Sequence, residues 1–147
     1  MKKIASLLTI ISAFFSCSSE EPNFDAQNEA EIVKYIADNN LTAKKSDSGL
    51  YYVINTEGTG GQPTSNSTVT IAYKGYYLDG KVFDQNSTFK TNLQSVIRGW
   101  TEGVTYFKEG GSGILLIPSK LGYGSKNYAG IPGGSVLIFD ISLLKIH

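Results

Sequence analysis

Apolar residues recur along the chain with two periods, and the change from one to the other divides it. Between residues 25 and 39, Ala30, Val33 and Ala37, with neighbouring Ile32 and Ile36, fall at three- and four-residue spacing, and Asn39-Asn40 suits a helix end. Ser46-Asp47-Ser48-Gly49 then breaks the chain. From Leu50 the signal is β. Leu50-Tyr51-Tyr52-Val53-Ile54 is aromatic and β-branched, and residues 58–67 are loop. Val69-Thr70-Ile71-Ala72-Tyr73 alternates with period two, which puts Val69, Ile71 and Tyr73 on one face of a strand running to Leu78. Asp79-Gly80 is a strong hairpin turn, because both residues tolerate positive φ, and Lys81-Val82-Phe83-Asp84 returns from it. Two further runs, Ile114-Leu115-Leu116-Ile117 before Pro118 and Val136-Leu137-Ile138-Phe139-Asp140-Ile141, are apolar enough for central strands.

Helical spacing returns once. From Ile97, the residues Trp100, Val104 and Phe107 mark one face of a short helix ended by Gly110-Gly111. Val96-Ile97-Arg98-Gly99-Trp100 joins a β-branched pair, a turn glycine and the only tryptophan. Trp100 is then either the largest core residue or the floor of an apolar pocket. The connection from residue 119 to 135 is long, rich in glycine and tyrosine, and carries Pro132; loops of this length inside compact domains are often functional.

The first residues have a different pattern. Met1-Lys2-Lys3 is basic, residues 4–15 form an apolar run broken only by Ser and Thr, and Ser16-Cys17 follows. Twelve residues are too few to span a bilayer, which needs about 20, so the run reads as the core of a signal peptide. Phe14-Phe15-Ser16-Cys17 resembles a bacterial lipobox with Phe14 where leucine is usual, which marks Cys17 for lipidation; the other reading is an incidental thiol after an ordinary leader. Ser18-Ser19-Glu20-Glu21-Pro22-Asn23 is a polar tether. Its acidic pair resembles surface-export signals of some outer-membrane lipoproteins and equally suits a solvated linker. The expected division is a signal peptide over residues 1–16, a tether over 17–24, a helical preface and linker over 25–48, and one folded domain over 49–147. The preface helix either packs on that domain or spaces it from a membrane.

Charge and composition narrow the chemistry. The 147 residues carry 13 basic and 13 acidic groups, and loss of Lys2 and Lys3 with the leader leaves a slight acidic excess. No basic stripe marks a nucleic-acid partner. His147 is the only histidine and Cys17 the only cysteine, so histidine triads, histidine metal sites, cysteine–histidine catalysis and internal disulfides are not expected. Gly122-Tyr123-Gly124 has neither a Walker lysine nor a Rossmann context. A site here works by shape and hydrogen bonds, without metal or cofactor.

Five motifs then match one family in order and approximate spacing. Tyr73-Lys74-Gly75, Asp79-Gly80-Lys81-Val82-Phe83-Asp84, Val96-Ile97-Arg98-Gly99-Trp100, Leu121-Gly122-Tyr123-Gly124 and Leu137-Ile138-Phe139-Asp140 resemble those of FKBP-type peptidyl-prolyl cis-trans isomerases. The leader and helical preface also resemble the layout of gliding-motility-associated isomerase lipoproteins. The resemblance implies an α+β fold in which an antiparallel sheet wraps around the Trp100 helix. It makes Tyr73, Phe83, Phe89, Val96, Ile97, Trp100 and Phe139 the substrate pocket, and adds Ile131 as a flanking aliphatic and Tyr128 near the rim. Asp84 and Tyr123 supply the catalytic polar groups. Where the family has Pro-Pro, this chain has Pro132-Gly133 in a short loop, which alters the rim. The implied partners are proline-containing polypeptide clients, macrolide inhibitors, and a membrane held through lipid on Cys17. The implied place is an outer membrane, facing the periplasm or the cell surface.

The residue types suit that reaction. Rotation about an Xaa-Pro bond breaks amide resonance against about 18–20 kcal/mol, and the twisted state has less charge separation than the planar amide. An apolar pocket favours that state. The backbone N–H near Ile97 and the Tyr123 phenol can bond substrate carbonyls, while Asp84 orients its neighbours. A non-catalytic proline-binding chaperone, or a surface interaction lipoprotein, would display the same residues.

Overall fold

The computed structural model describes residues 20–147. Cys17, the apolar run before it and the first tether residues, on which the leader and anchor expectations rest, lie outside the described residues. Helix α1 (Asp25–Asp38) precedes six strands: β1 (Lys44–Lys45), β2 (Tyr51–Thr56), β3 (Thr68–Tyr76), β4 (Val82–Asn92), β5 (Ser112–Ile117) and β6 (Leu137–Ile146). A short helix α2 (Arg98–Gly103) lies between β4 and β5. All pairings are antiparallel, in the spatial order β1-β2-β5-β6-β3-β4.

Period-two alternation sends the apolar residues to two faces of this sheet. On the inner face, Val69 and Ile71 of β3, Leu115 and Ile117 of β5, and Leu137, Phe139, Ile141 and Leu143 of β6 form one buried cluster with Trp100, Val104 and Phe107. On the outer face, Val53, Leu116 and Ile138 form a second cluster with Ile32 of α1. β5 and β6 are central and apolar on both faces, as their unbroken hydrophobic runs predict.

Four local expectations change. β4 runs to Asn92, well beyond the predicted return to Asp84. It is an edge strand, mostly exposed, so its polar stretch Gln85-Asn86-Ser87-Thr88 shows no apolar alternation; its pairing with β3 makes it a strand. The hairpin needs positive φ only at Gly80, which closes a turn through Gly80 N–H to the Tyr77 carbonyl at 2.9 Å. α2 ends at Gly103 and continues as a tighter turn over Val104–Tyr106, with Phe107 already extended. Gly103, Val104 and Thr105 are weak helix formers, and the apolar spacing of Val104 and Phe107 reflects burial of a bent segment. Gly99, read as a turn residue, lies inside α2. A Cβ there would meet Ile117 at 2.6 Å, and one on Gly103 would meet Leu115 at 2.7 Å, so these two glycines bring the helix close onto β5.

α1 forms where expected, with the Ile32 and Ile36 side of its apolar pattern turned inward. Ala30, Val33 and Ala37 face solvent, with Val33 49% exposed, while Ile32 and Asn28 are buried and Tyr35 and Ile36 half-buried. The helix packs on the outer face of the sheet. Exposed polar contacts add to this seam: Glu29 accepts from the Tyr51 hydroxyl at 2.7 Å and pairs with Lys45 at 2.9 Å.

Candidate functional site

A six-residue helix cannot cover the inner face of a six-stranded sheet. The uncovered part is a cleft of about 460 Å³. Trp100, from the middle of α2, is buried beneath it, and Tyr73 (β3), Phe89 (β4) and Phe139 (β6) stand against the indole. The Tyr73 and Phe139 rings meet it edge-on at centroid distances of 5.0 and 5.3 Å, and Phe89 lies at 6.3 Å. Phe83 extends the wall, edge-on to Phe139 at 5.5 Å and tilted against Tyr77 at 5.0 Å. These edge-to-face contacts fix the rings against one another around the cleft. The Trp100 indole N–H is buried and, among the described residues, has no nitrogen or oxygen acceptor. The surrounding rings offer it only weak π acceptors.

Gly75 lets two of these walls stand where they do. It pairs with Phe139 across the β3–β6 ladder, and a Cβ on it would lie 2.7 Å from both the Phe139 and Phe83 rings. The Tyr73-Lys74-Gly75 motif thus contains both a wall and the space for two others. Sequence reasoning gave Gly75 no role; a glycine inside an otherwise alternating strand is the signal that marks it.

The polar groups lie at the mouth. Asp84, exposed on β4, accepts a hydrogen bond from the Tyr73 hydroxyl at 2.7 Å, which fixes the Asp84 carboxylate over the wall. Burial first, then that bond and the Asp84 charge, push the Tyr73 phenol far above the ordinary phenol range, so it remains a donor. The Ile97 backbone N–H, at the start of α2, has no backbone acceptor among the described residues. The Tyr123 ring is partly exposed at the rim. Burial, then the neighbouring Tyr128 and Asp84, raise its phenol pKa, with no hydrogen bond contributing.

Tyr123 stacks on Tyr128 with centroids 5.0 Å apart and planes 10° from parallel. Tyr128 and Ile131 exchange backbone hydrogen bonds of 2.9 and 2.8 Å around Ala129 and Gly130, both at positive φ. That is the geometry of a tight two-residue turn, with alanine in a conformation that normally selects Gly or Asn. It displays Tyr128, 58% exposed, as an aromatic flap above the cleft.

Of the ten residues the resemblance assigned, nine line one cleft: Tyr73, Phe83, Asp84, Phe89, Val96, Ile97, Trp100, Tyr123 and Phe139. Ile131 does not. It is nearly buried and borders an adjoining recess with Val82 and Ala129, because the tight turn draws it behind Tyr128. Ser95, unassigned from sequence, and Tyr128, placed only near the rim, complete the lining. Ser95 ends a 3-10 turn (Leu93–Ser95) capped by the Asn92 side chain, and nothing in its local pattern marks it in advance.

The geometry has close counterparts. Residues 60–144 match the model of the FKBP-type peptidyl-prolyl cis-trans isomerase family. FkpA of Escherichia coli K12, an FKBP-type peptidyl-prolyl cis-trans isomerase, is 42% identical over 107 residues, covering 70% of this chain and 40% of its own length. FkpA of Buchnera aphidicola from Schizaphis graminum is 45% identical over 109 residues, covering 69% and 42%. The chain therefore spans about two fifths of these curated relatives. The crystal structure of E. coli FkpA superposes with a TM-score of 0.74 at 38% identity, covering 83% of this chain and 60% of that one. A peptidyl-prolyl cis-trans isomerase from Pseudomonas syringae gives 0.73 at 30% identity over 86% of this chain and 98% of its own. On the family match, these identities and the shared fold, the chain belongs to the FKBP-type peptidyl-prolyl cis-trans isomerases.

Proposed function

We propose that this domain accelerates cis-trans exchange of Xaa-Pro bonds in exported or surface proteins and so assists their folding. One observation carries the reading: a cleft floored by the only tryptophan and walled by aromatic rings, with donors at its mouth. The pyrrolidine ring sits on Trp100 between Tyr73, Phe83, Phe89 and Phe139, with Val96 and Ile97 closing one side. As the amide twists it loses resonance and charge separation, so a dry aromatic enclosure stabilises the twisted state relative to the planar one. The Ile97 N–H holds a substrate carbonyl, and the Tyr123 hydroxyl a second. Asp84, held by Tyr73, faces the carbonyl of the twisting bond and orients it. No proton is transferred, so no general base is required.

The apolar cleft also suits macrolide inhibitors, and the stacked Tyr123–Tyr128 pair favours an apolar residue before proline. Ile131 acts from behind by supporting Tyr128. Binding without acceleration would use the same walls; family membership favours catalysis. We further propose that residues 1–16 are a signal peptide, that lipid on Cys17 anchors the protein to an outer membrane, and that residues 17–24 tether the isomerase domain to it. The leader layout extends this to the gliding-motility-associated isomerase lipoproteins. The tests are direct. A protease-coupled assay on Xaa-Pro peptides should show acceleration, and several peptides without it would leave a binding module. Cys17→Ala should abolish lipid labelling and membrane fractionation; unchanged fractionation without label in either form would end the anchor reading.

A further inference from the structure

Asn28 is the only polar residue of α1 that is fully buried, and it is spent on the rim of the cleft. Its Oδ1 accepts from the Ser119 backbone N–H at 2.8 Å and the Ser119 hydroxyl at 2.6 Å, 91 residues away. Its Nδ2 donates to the Gly134 carbonyl at 2.9 Å, 106 residues away, and more weakly to Glu31 at 3.3 Å. One carboxamide thus joins the two ends of the loop that begins at Ser119 and closes at Gly134. The bonds continue inward. The Ser119 carbonyl accepts from Gly122 N–H at 3.0 Å and Gly124 N–H at 2.8 Å, the residues on either side of Tyr123, and Gly134 N–H donates to the Gly124 carbonyl at 2.9 Å. Asn28, Ser119, Gly124 and Gly134 therefore form a closed ring of hydrogen bonds at the base of the loop. Phe24 packs beneath it, so close to Gly134 that a Cβ there would lie 2.5 Å from its ring.

We propose that Asn28 is a positioning residue for the pocket rim: through Ser119 and Gly134 it fixes the loop that presents Tyr123 and Tyr128. The helix before the domain is then a working part of the isomerase unit. An aliphatic residue at position 28 would fill the same space and pack well on the sheet, but would leave the Ser119 N–H and Gly134 carbonyl buried without partners. Asparagine supplies an acceptor and a donor from one rigid plane, which matches the two loop ends. The effect on catalysis rests on the isomerase reading above; the effect on the loop does not.

The test compares the full chain with Asn28→Ala and Ser119→Ala, using Ile32→Ala as a control that loosens the same helix without touching the ring. Amide hydrogen exchange and kcat/KM are measured where each protein is folded. Asn28→Ala should speed exchange at Gly122, Gly124 and Gly134 about tenfold while Leu115 and Leu116 of β5 stay protected, and kcat/KM should fall on the order of tenfold to a hundredfold. Ser119→Ala removes one arm and should act in the same direction but less. Ile32→Ala should raise exchange without selecting the loop. Asn28→Ala with loop protection and kcat/KM retained, or with exchange raised evenly as in Ile32→Ala, overturns the proposal. If Asn28→Ala does not fold, Ser119→Ala decides, and native values in both measurements overturn it. If the unaltered chain accelerates no peptide, the isomerase reading fails, and loop-selective exchange alone decides whether Asn28 holds the rim.

Discussion

The two faces of the sheet are built from the same alternating strands and end in opposite states. On the outer face, the fourteen-residue α1 covers Val53, Leu116 and Ile138, and Ile32 is sealed at 0% exposure. On the inner face, the six-residue α2 reaches only part of the way, and Tyr73, Phe83, Phe89, Val96 and Ile97 remain half-buried around Trp100. Apolar surface left in water is a standing cost, of about 25 cal/mol per Å². On the proposed function, a bound proline ring would relieve that cost on the inner face. The pocket is thus a place where covering stops short, and the polar groups at its edge are those the missing cover would have buried.

The comparison can be broken most strongly from the outer face. Ile32→Ala removes a side chain with no relaxed alternative and should lower unfolding free energy by about 2–5 kcal/mol in urea titrations. For the same reason α1, packed on the outer face, should be needed for the fold: removing residues 20–40 should abolish cooperative unfolding, and cooperative unfolding retained without them would show that the domain stands alone. On the inner face, Gly75→Ala forces the Phe83 and Phe139 rings apart and should cost about 1–3 kcal/mol while lowering kcat/KM. Phe83→Ala truncates a half-exposed wall. Its stability loss should be about 1–2 kcal/mol, below the range for a buried phenylalanine, with weaker peptide binding. Tyr123→Phe should leave stability within about 0.5 kcal/mol. It should lower kcat/KM by about two- to tenfold, the value of one hydrogen bond. Equal stability losses for Ile32→Ala and Phe83→Ala would remove the contrast between a sealed and an open face.

What sequence could show follows the same division. Val69 and Ile71, Leu115 and Ile117, Leu137 and Phe139 lie on strands with one clear face or continuous apolar runs, and their burial was legible. Most of β4 was not, since only Phe83 and Phe89 among the apolar residues of this edge strand turn to the cleft and the exposed polar stretch between them carries no apolar period. α1 was legible as a helix, and Ile32 and Ile36 of its pattern lie on the packed side, but the burial of Asn28 was not legible, because its partners lie far along the chain. The cleft residues were visible through motif spacing, whereas Gly99 and Gly103 act by the side chains they let approach, which no local pattern records, and Gly75 was marked only by standing inside an alternating strand. Ile131 flanks the cleft from an adjoining recess, and the turn that sets it there was not legible, because it is written as Ala-Gly, without the Asn or Asp that announces such turns.

The central claim is that the uncovered aromatic face both binds the proline ring and speeds its rotation. It is tested most directly by following the sole tryptophan while assaying isomerisation on the same Xaa-Pro peptide. Uncatalysed exchange takes about 10–100 s at room temperature, so even modest catalysis is measurable. The account predicts that peptide shifts Trp100 fluorescence with the same concentration dependence as the accelerated exchange, and that Phe83→Ala weakens both together. Acceleration that persists while Trp100 fluorescence is indifferent to peptide, or a fluorescence response without any acceleration, would contradict it.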